Sequence, residues 1–214
     1  MFVSRRMTPN PVTITSSTTV AEASEIMRTH GFRRLPVVDN GRLVGIVTDR
    51  DLREVQPSPA TTLSIYELNY LLEKVKIKDI MHKKVITIRD DATIEEAALL
   101  MYNHKIGGLV VVDAEDKVVG VITETDIFKT FVDVMGLPAG KTRITVEVVD
   151  NVGVLHEITG VFKELGISIG SLACSRLPSG LVEIVFRADI PDVEALTKRM
   201  AEIGYPVTHV AQIG

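Results

Sequence analysis

The chain has 214 residues, 45% of them hydrophobic, a formal net charge of −4 and no tryptophan. That length suits one large or two small domains, each with a core of its own, and the slightly acidic balance offers no global attraction for nucleic acid. A lone cysteine, Cys174, excludes an internal disulfide framework and any cysteine-rich metal site; with no charged-then-apolar leader at Met1 and no bilayer-length apolar run, no membrane contact is expected and a reducing cytoplasm is the default.

In chain order, Val12 to Ile14 reads as a short strand. Thr19-Val20-Ala21-Glu22 is a capping box, in which the Thr hydroxyl and the Glu carboxylate each take a backbone N–H of the first turn. It opens a helix whose apolar face carries Val20, Ala23, Ile26 and Met27, with Gly31 as a helix end. Leu35 to Val38 and Leu43 to Val47 follow as strands around Asn40-Gly41, a strong hairpin signal. The second strand runs into Gly45-Ile46-Val47-Thr48-Asp49-Arg50-Asp51. Thr48 suits the cap of a helix starting near Asp49. A helix start also presents unpaired N–H groups that suit a phosphate, and Asp51 could accept hydrogen bonds from a ribose diol. The alternative is that Thr48 and Asp51 do nothing but cap the helix.

The chain then repeats itself. Met7 lines up with Met81 and Arg33 with Gly107 at a constant offset of 74, and the heptapeptide recurs as Gly120-Val121-Ile122-Thr123-Glu124-Thr125-Asp126 at an offset of 75. The extra residue falls in the turn Ala114-Glu115-Asp116. Such a pattern indicates duplication of one strand–helix–strand–strand–helix unit. In the second copy Val85 to Ile88 is the first strand. The box Thr93-Ile94-Glu95-Glu96 opens a helix with Ile94, Ala97, Ala98 and Met101 inward, Gly107 is its expected end, and Leu109 to Val112 and Val118 to Ile122 form the hairpin. Between the copies, Gln56-Pro57-Ser58-Pro59 is a loop, and a helix begins at Ser64 with Leu68, Leu71, Leu72 and Val75 as its apolar stripe and Tyr66 and Tyr70 as packing residues, ligand stacking being the alternative for the two tyrosines.

Residues Met135 to Gly140 punctuate the chain. Beyond them come a strand from Arg143 to Val149, the turn Asp150-Asn151-Val152-Gly153, and a helix with Val154, Leu155, Ile158, Val161, Phe162 and Leu165 that ends at Gly166. Strands at Ile167–Ser175 and Leu181–Ala188, a helix from Pro191 and a strand from Tyr205 to Val210 complete a βαββαβ order. This is the ferredoxin-like plan, an antiparallel sheet with helices on one face. Cys174 falls in one of these strands and is expected to be a small buried residue.

The duplicated motifs, Met-Thr-x-x-x-Val-Thr-Ile at residues 7–14, Arg-Leu-Pro-Val-Val-Asp at 34–39 and Gly-x-x-Thr-x-x-Asp at 45–51, resemble those of cystathionine-β-synthase (CBS) domains, which pair into a Bateman module. The resemblance implies two clefts for adenosine-containing ligands, with ribose held by the motif Asp, phosphate by its Thr and nearby basic residues, and adenine against the first strand. Carried over residue by residue, it places Thr13, Ile14, Thr48 and Asp51 in one cleft, and Thr87, Ile88, Thr123 and Asp126 in the other. Arg33, Arg34 and Arg50 in the first copy stand where the second has Gly107, Gly108 and Thr125, so the first cleft is expected to favour a phosphorylated ligand, since guanidinium chelates phosphate. The bland alternative is that these arginines are solvated surface charges.

Asp150-x-x-Gly153-x-Leu155, with Gly166-Ile167-Ser168-Ile169 after the helix, resembles an ACT domain. That implies an amino acid bound at a subunit interface beside the Gly-containing turn, with Asp150, Gly153, Val154, Leu155, Ser168 and Ile169 as candidate residues. Val152 and Ser168 depart from a frequent Pro and Asn, and pure dimerisation is the alternative. The expected domains are CBS 1–60, a connecting helix 61–74, CBS 75–134, a linker 135–141 and ACT 142–214.

No histidine pair has metal-ligand spacing, and no nucleophile elbow, P-loop or dinucleotide fingerprint occurs. Catalytic and metal-ligating residues are therefore expected to be none. His156 is expected to be an exposed helix residue. The sequence reads as a non-catalytic regulatory sensor, at least a homodimer, with an adenine nucleotide as regulatory ligand and a protein target it does not name. The alternative is an oligomeric scaffold with structural, unliganded domains.

Overall fold

The computed structural model describes residues 1–55, 74–137 and 142–212. The expected helix at Ser64–Leu72 and most of the linker at 138–141 lie outside the described residues. The chain divides into two compact units, Met1–Ile127 and Phe128–Gly214. No helix among the described residues is long and apolar enough to cross a membrane.

The first unit holds both copies of the repeat. Its elements are β1 (Thr8–Pro9), α1 (Val20–His30), β2 (Arg34–Asp39), β3 (Arg42–Thr48), α2 (Asp49–Glu54), β4 (Thr87–Arg89), α3 (Ile94–His104), β5 (Gly108–Val112), β6 (Val118–Thr123) and α4 (Glu124–Val134), the last continuing past the boundary. Both capping boxes form. Thr19 and Thr93 accept from the N–H groups of Glu22 and Glu96, whose carboxylates take back the Thr N–H groups at 2.8 and 2.7 Å. Asn40 and Gly41 both adopt positive φ, 51° and 79°, as a tight hairpin turn needs. Gly31 ends α1 in the left-handed region, but the second copy differs from expectation. There α3 ends at Lys105, with φ 53°, and Gly107 lies beyond the helix. Lys105 is 74 positions after Gly31, so it holds the equivalent conformation without the glycine that makes it easy.

The two copies exchange their leading segments. The turn Val3–Arg5 precedes the first copy, yet Val3 is fully buried in the core of the second, with Ile88, Ile94, Ala97, Met101, Leu109 and Ile122. Its N–H donates to the Ala92 carbonyl at 2.8 Å. Ile77, in the equivalent turn Ile77–Asp79, is fully buried among Val20, Ala23, Leu35, Val37 and Val47 of the first copy, and its N–H donates to the Thr18 carbonyl at 2.9 Å. Next, β1 pairs with β6 of the other copy, with Pro9 opposite Gly120, and His82 bridges Ile46 of β3. Each chain segment then crosses back. Ile14 runs parallel to Val37, and β4 parallel to β5.

The motif glycines serve this crossing. A Cβ on Gly120 would lie 2.3 Å from the Met7 sulfur, and one on Gly45 would lie 2.5 Å from the Met81 sulfur. Each methionine thus sits over a strand of the opposite copy where only glycine leaves room.

The second unit is a four-stranded antiparallel sheet in the order β10-β7-β9-β8, formed by β7 (Thr142–Val148), β8 (Ile169–Arg176), β9 (Val182–Ala188) and β10 (Val207–Gln212). With α5 (Val154–Glu164) and α6 (Val193–Glu202) it realises the βαββαβ order. Alternate strand residues Ile144, Val146, Ile184 and Phe186 meet Ile158, Val161, Phe162, Leu196 and Met200 from the helices in one core. Phe162 and Phe186 pack with ring centroids 5.0 Å apart. Cys174 is exposed rather than buried: it lies opposite the core residue Ile184, but on the edge strand β8, beyond the buried core cluster. His156 is exposed on α5 as expected.

Candidate functional site

The motif side chains form a closed local circuit before any ligand is considered. The Asp51 carboxylate accepts from the Thr48 N–H at 2.8 Å and the Thr48 hydroxyl at 2.7 Å, both through Oδ2. Its other oxygen, Oδ1, lies 3.0 Å from His82 Nε2. Burial opposes charge on Asp51, but the hydrogen bonds from Thr48 and His82 together hold the carboxyl below its ordinary value. Asp126 repeats the circuit on Thr123, at 2.8 Å from the N–H and 2.7 Å from the hydroxyl. The capping reading of these residues is therefore correct as geometry. It leaves Oδ1 of Asp51 facing a cleft.

That cleft has a volume of about 660 Å³, within the range of small-molecule sites. Thr48, Asp51, Arg34 and Arg50 line it from the first copy. From the second come Lys84, Val85, Ile86, Lys105 and Ile106. A smaller cleft of about 260 Å³ brings Thr123 of the second copy together with Pro11, Val12, Arg33, Arg34 and Pro36 of the first. Asp126 sits behind its wall, on Thr123.

The leading strands therefore serve the opposite motif. Thr48 and Asp51 face residues 84–86, and Thr123 faces residues 11–12, where the sequence reading grouped each motif with the strand of its own copy. The crossing of the chain described above is the reason. Within each strand the cleft residues also lie earlier than expected. Ile14 and Ile88 are buried core residues, each 6% exposed, while Thr13 is exposed and Thr87 lines a separate groove beside Arg42 and Lys83. Two contributors had no signal in the motif itself. His82 takes the place of Thr8 in the alignment, and Lys105 reaches the cleft from the end of α3.

The arginines are not equivalent. Arg50 is exposed and paired with Glu54 at 2.9 Å, and Arg33 is exposed. Arg34 is half-buried, and its Nη1 donates to the Gly107 carbonyl across the two copies. Burial pushes its guanidinium down from the ordinary arginine value, while Glu124, Asp49 and Asp126 oppose that shift.

In the second unit a cavity of about 360 Å³ lies beside the Asp150–Gly153 turn. It is lined by Asp150, Gly153, Val154 and Leu155, with Cys174, Ser175 and Arg176 from β8. Gly153 caps α5 with φ 99°, a conformation that favours glycine. Arg176 pairs with Asp150 at 2.5 Å. Ser168 and Ile169 are at the other end of β8. Arg176 lies seven positions after Ile169, roughly 23 Å at strand rise. Within one chain these two residues and the turn do not form one site. Among the described residues no cluster of His, Cys, Asp and Glu is arranged to hold a metal ion.

The paired units and their clefts define the class. The chain belongs to the CBS-domain family, whose model matches residues 3–58 and 77–133, and it carries an ACT domain matched at residues 142–204. A CBS domain-containing protein of Dictyostelium discoideum is 35% identical over 136 residues, covering 63% of this chain and 94% of that protein. Inosine-5′-monophosphate dehydrogenase of Methanocaldococcus jannaschii is 36% identical over 119 residues, but the match spans 55% of this chain and only 21% of the dehydrogenase.

Among solved structures, the CBS domain pair of protein MJ0100, in complex with 5′-methylthioadenosine and S-adenosyl-L-methionine, has a TM-score of 0.51 and 31% identity, covering 61% of this chain and 99% of that one. CBSX2 in complex with AMP also has a TM-score of 0.51 and 31% identity, covering 61% and 96%. AcuB from Vibrio cholerae, assigned to acetoin utilization, has a TM-score of 0.53 and 32% identity, covering 64% and 95%. Similar CBS pairs thus bind adenosyl ligands.

Proposed function

We propose that this chain is a non-catalytic regulatory sensor of the cytoplasm that binds an adenine nucleotide or related adenosyl compound between its CBS repeats. The observation that carries the reading is the larger cleft. It sets the Asp51 oxygen that Thr48 does not engage, held by His82 and suited as an acceptor to a ribose diol, among the cations Arg34, Lys84 and Lys105 and the apolar Ile46, Val85, Ile86 and Ile106. Hydroxyl acceptor, phosphate partners and apolar walls for a base are the three parts a nucleotide needs. Occupancy would displace His82 from Asp51 and shift one repeat against the other, changing the surface offered to a protein target. By similarity to AcuB, that target belongs to acetoin or central carbon metabolism.

Titration calorimetry of the full chain with AMP, ADP, ATP and S-adenosylmethionine tests this, with Asp51→Asn as the informative variant. Its carboxamide oxygen keeps the cap on Thr48, while its amide replaces the oxygen facing the cleft. Loss of binding with an unchanged melt supports the reading. Undiminished binding in the variant removes Asp51 from the site, and a silent panel favours the scaffold alternative.

The cavity at the Asp150 turn favours a second ligand, an amino acid. Its carboxylate would meet the N-terminal N–H groups of α5 and Arg176, and its side chain Val148, Val154 and Ile184. Ser168 and Ile169 could join only from a second copy. The exposed Leu99 and Tyr102 on α3, and Phe128 and Phe131 on α4, also suit homo-oligomer contacts. Light scattering on Tyr102→Glu and Phe131→Glu would show a smaller particle if these faces pair, and an unchanged mass would exclude them.

A further inference from the structure

We propose that Arg34 is a single phosphate ligand shared by both clefts, so that the two sites compete for it and phosphorylated nucleotides bind them with negative coupling. The proposal rests on the adenosyl reading above and adds a dependence between the sites that the reading does not require.

Four observations converge on this side chain. Arg34 lines the larger cleft and the smaller one, as does Gly107, to whose carbonyl its guanidinium donates. The wall between the clefts is thus this contact. Second, the space for Arg34 is supplied by its own counterpart in the repeat. Arg33-Arg34 aligns with Gly107-Gly108, and a Cβ on Gly108 would lie 1.5 Å from Arg34 Nη1. One copy provides the cation and the other its socket, so the pair has one central guanidinium where a symmetric pair would have two.

Third, the clefts depend on it unequally. Arg33 lines both, and the larger also has Arg50, Lys84 and Lys105, whereas among the described residues the smaller is lined by no cation besides Arg33 and Arg34, beside Glu124. Arg33 is exposed, which leaves the half-buried Arg34 as the less screened partner for a phosphate there. Fourth, Arg34 is half-buried against a carbonyl acceptor and retains further N–H donors for an anion. A guanidinium fork chelates one phosphate at a time. Once a phosphate in the larger cleft holds Arg34, a second phosphate in the smaller one meets Glu124 without its counter-charge. An uncharged nucleoside makes no such demand.

The test compares AMP with adenosine by titration calorimetry on the full chain, wild type and Arg34→Gln, with Arg34→Lys and Gly108→Ala alongside. For each ligand and variant the smaller cleft's dissociation constant is read twice, once with the larger cleft filled, as the second step of the titration, and once with the larger cleft disabled by Asp51→Asn. In the wild type the spacing between the two should be about tenfold wider for AMP than for adenosine, the weight of one charge-assisted hydrogen bond. In Arg34→Gln the AMP spacing should collapse to that of adenosine. Gly108→Ala, which displaces the guanidinium, should act in the same direction, and Arg34→Lys, which keeps the charge, should retain part of the difference. A melt of each variant separates loss of fold from loss of coupling. Equal spacing for the two ligands in the wild type, or a spacing unmoved by Arg34→Gln, overturns the proposal while the adenosyl reading stands. A single adenosine site overturns it as well. No binding by either ligand overturns both, and Arg34 is then only a strut between the copies.

Discussion

Replacing Gly120 with Ala tests the exchange of leading segments at a single atom. The new Cβ would lie 2.3 Å from the Met7 sulfur and 3.0 Å from its Cγ, when an unstrained contact needs about 3.5 Å. Met7 must retreat by more than an ångström, and β1 is tied to the same place through Pro9 opposite Gly120. Overpacking of this kind costs about 1–3 kcal/mol, with methionine's flexibility favouring the lower end. Against it, Gly120 has no positive φ, so alanine also stiffens the unfolded chain and returns about 0.4–1 kcal/mol. The net expectation is a loss of about 1 kcal/mol. Met7 is half-buried, and Met7→Ala alone should cost roughly 1–2 kcal/mol. The double variant should then be more stable than the sum of the two losses by about 1 kcal/mol, because the truncated side chain no longer meets the new methyl. Urea unfolding followed by far-UV circular dichroism measures all four corners of the cycle. Additivity within about 0.3 kcal/mol would mean that residues 7 and 120 do not touch, and the exchange would be refuted.

Three further outcomes follow from particular residues. Lys105 holds a left-handed conformation at the end of α3, so Lys105→Gly should raise stability by about 0.5–1 kcal/mol, whereas the same change at an ordinary helix end should not; the melt decides. The carboxyls of Glu22, Glu96 and Asp51 are held below their ordinary values, by backbone and hydroxyl bonds from Thr19 and Thr93 in the first two, and by Thr48 and His82 against burial in the third. Their stabilisation is present above the ordinary carboxylate range of about 4 and is lost as pH falls through the lower folded values. A urea midpoint measured from pH 6 to pH 3 should therefore fall, and fall less steeply in the Glu22→Gln, Glu96→Gln double variant. Cys174 is exposed at the cavity beside Asp150. It should react with a thiol reagent in the native protein without denaturant, and an amino acid seated there should slow the labelling.

Local chemistry carried most of what could be foreseen. The two Thr–Glu boxes, the Asn40-Gly41 turn and the Thr48–Asp51 and Thr123–Asp126 caps are short-range bonds between residues three apart or fewer, and all lie where the pattern put them. The clefts were less legible. Their walls depend on segments that cross between copies as three-residue turns and isolated bridges, which have no periodicity to read. The resemblance to CBS domains made Thr13 and Ile14 look like companions of Thr48. It could not show that Ile14 would turn into the core and that Val85 and Ile86 would take the wall instead. The contrast of Arg33-Arg34 with Gly107-Gly108 was visible as a difference, but only contact reveals that the glycines are the socket for Arg34. Cys174 misled because alternation assigns residues to two faces of a strand without saying which edge of the sheet stays open.

Val3 and Ile77 change what counts as the heritable unit. A single repeat cut at its sequence boundaries would present a core with its plug missing, since each plug precedes the other copy. A lone copy in this arrangement would need a twin to lend it the same segment, and here both copies stand in one chain. Joining them removes the cost of finding that twin and releases the copies from identity. One of them can then keep two arginines at the shared axis while the other keeps two glycines. The asymmetry of the clefts is thus a freedom that a homodimer of single repeats does not have.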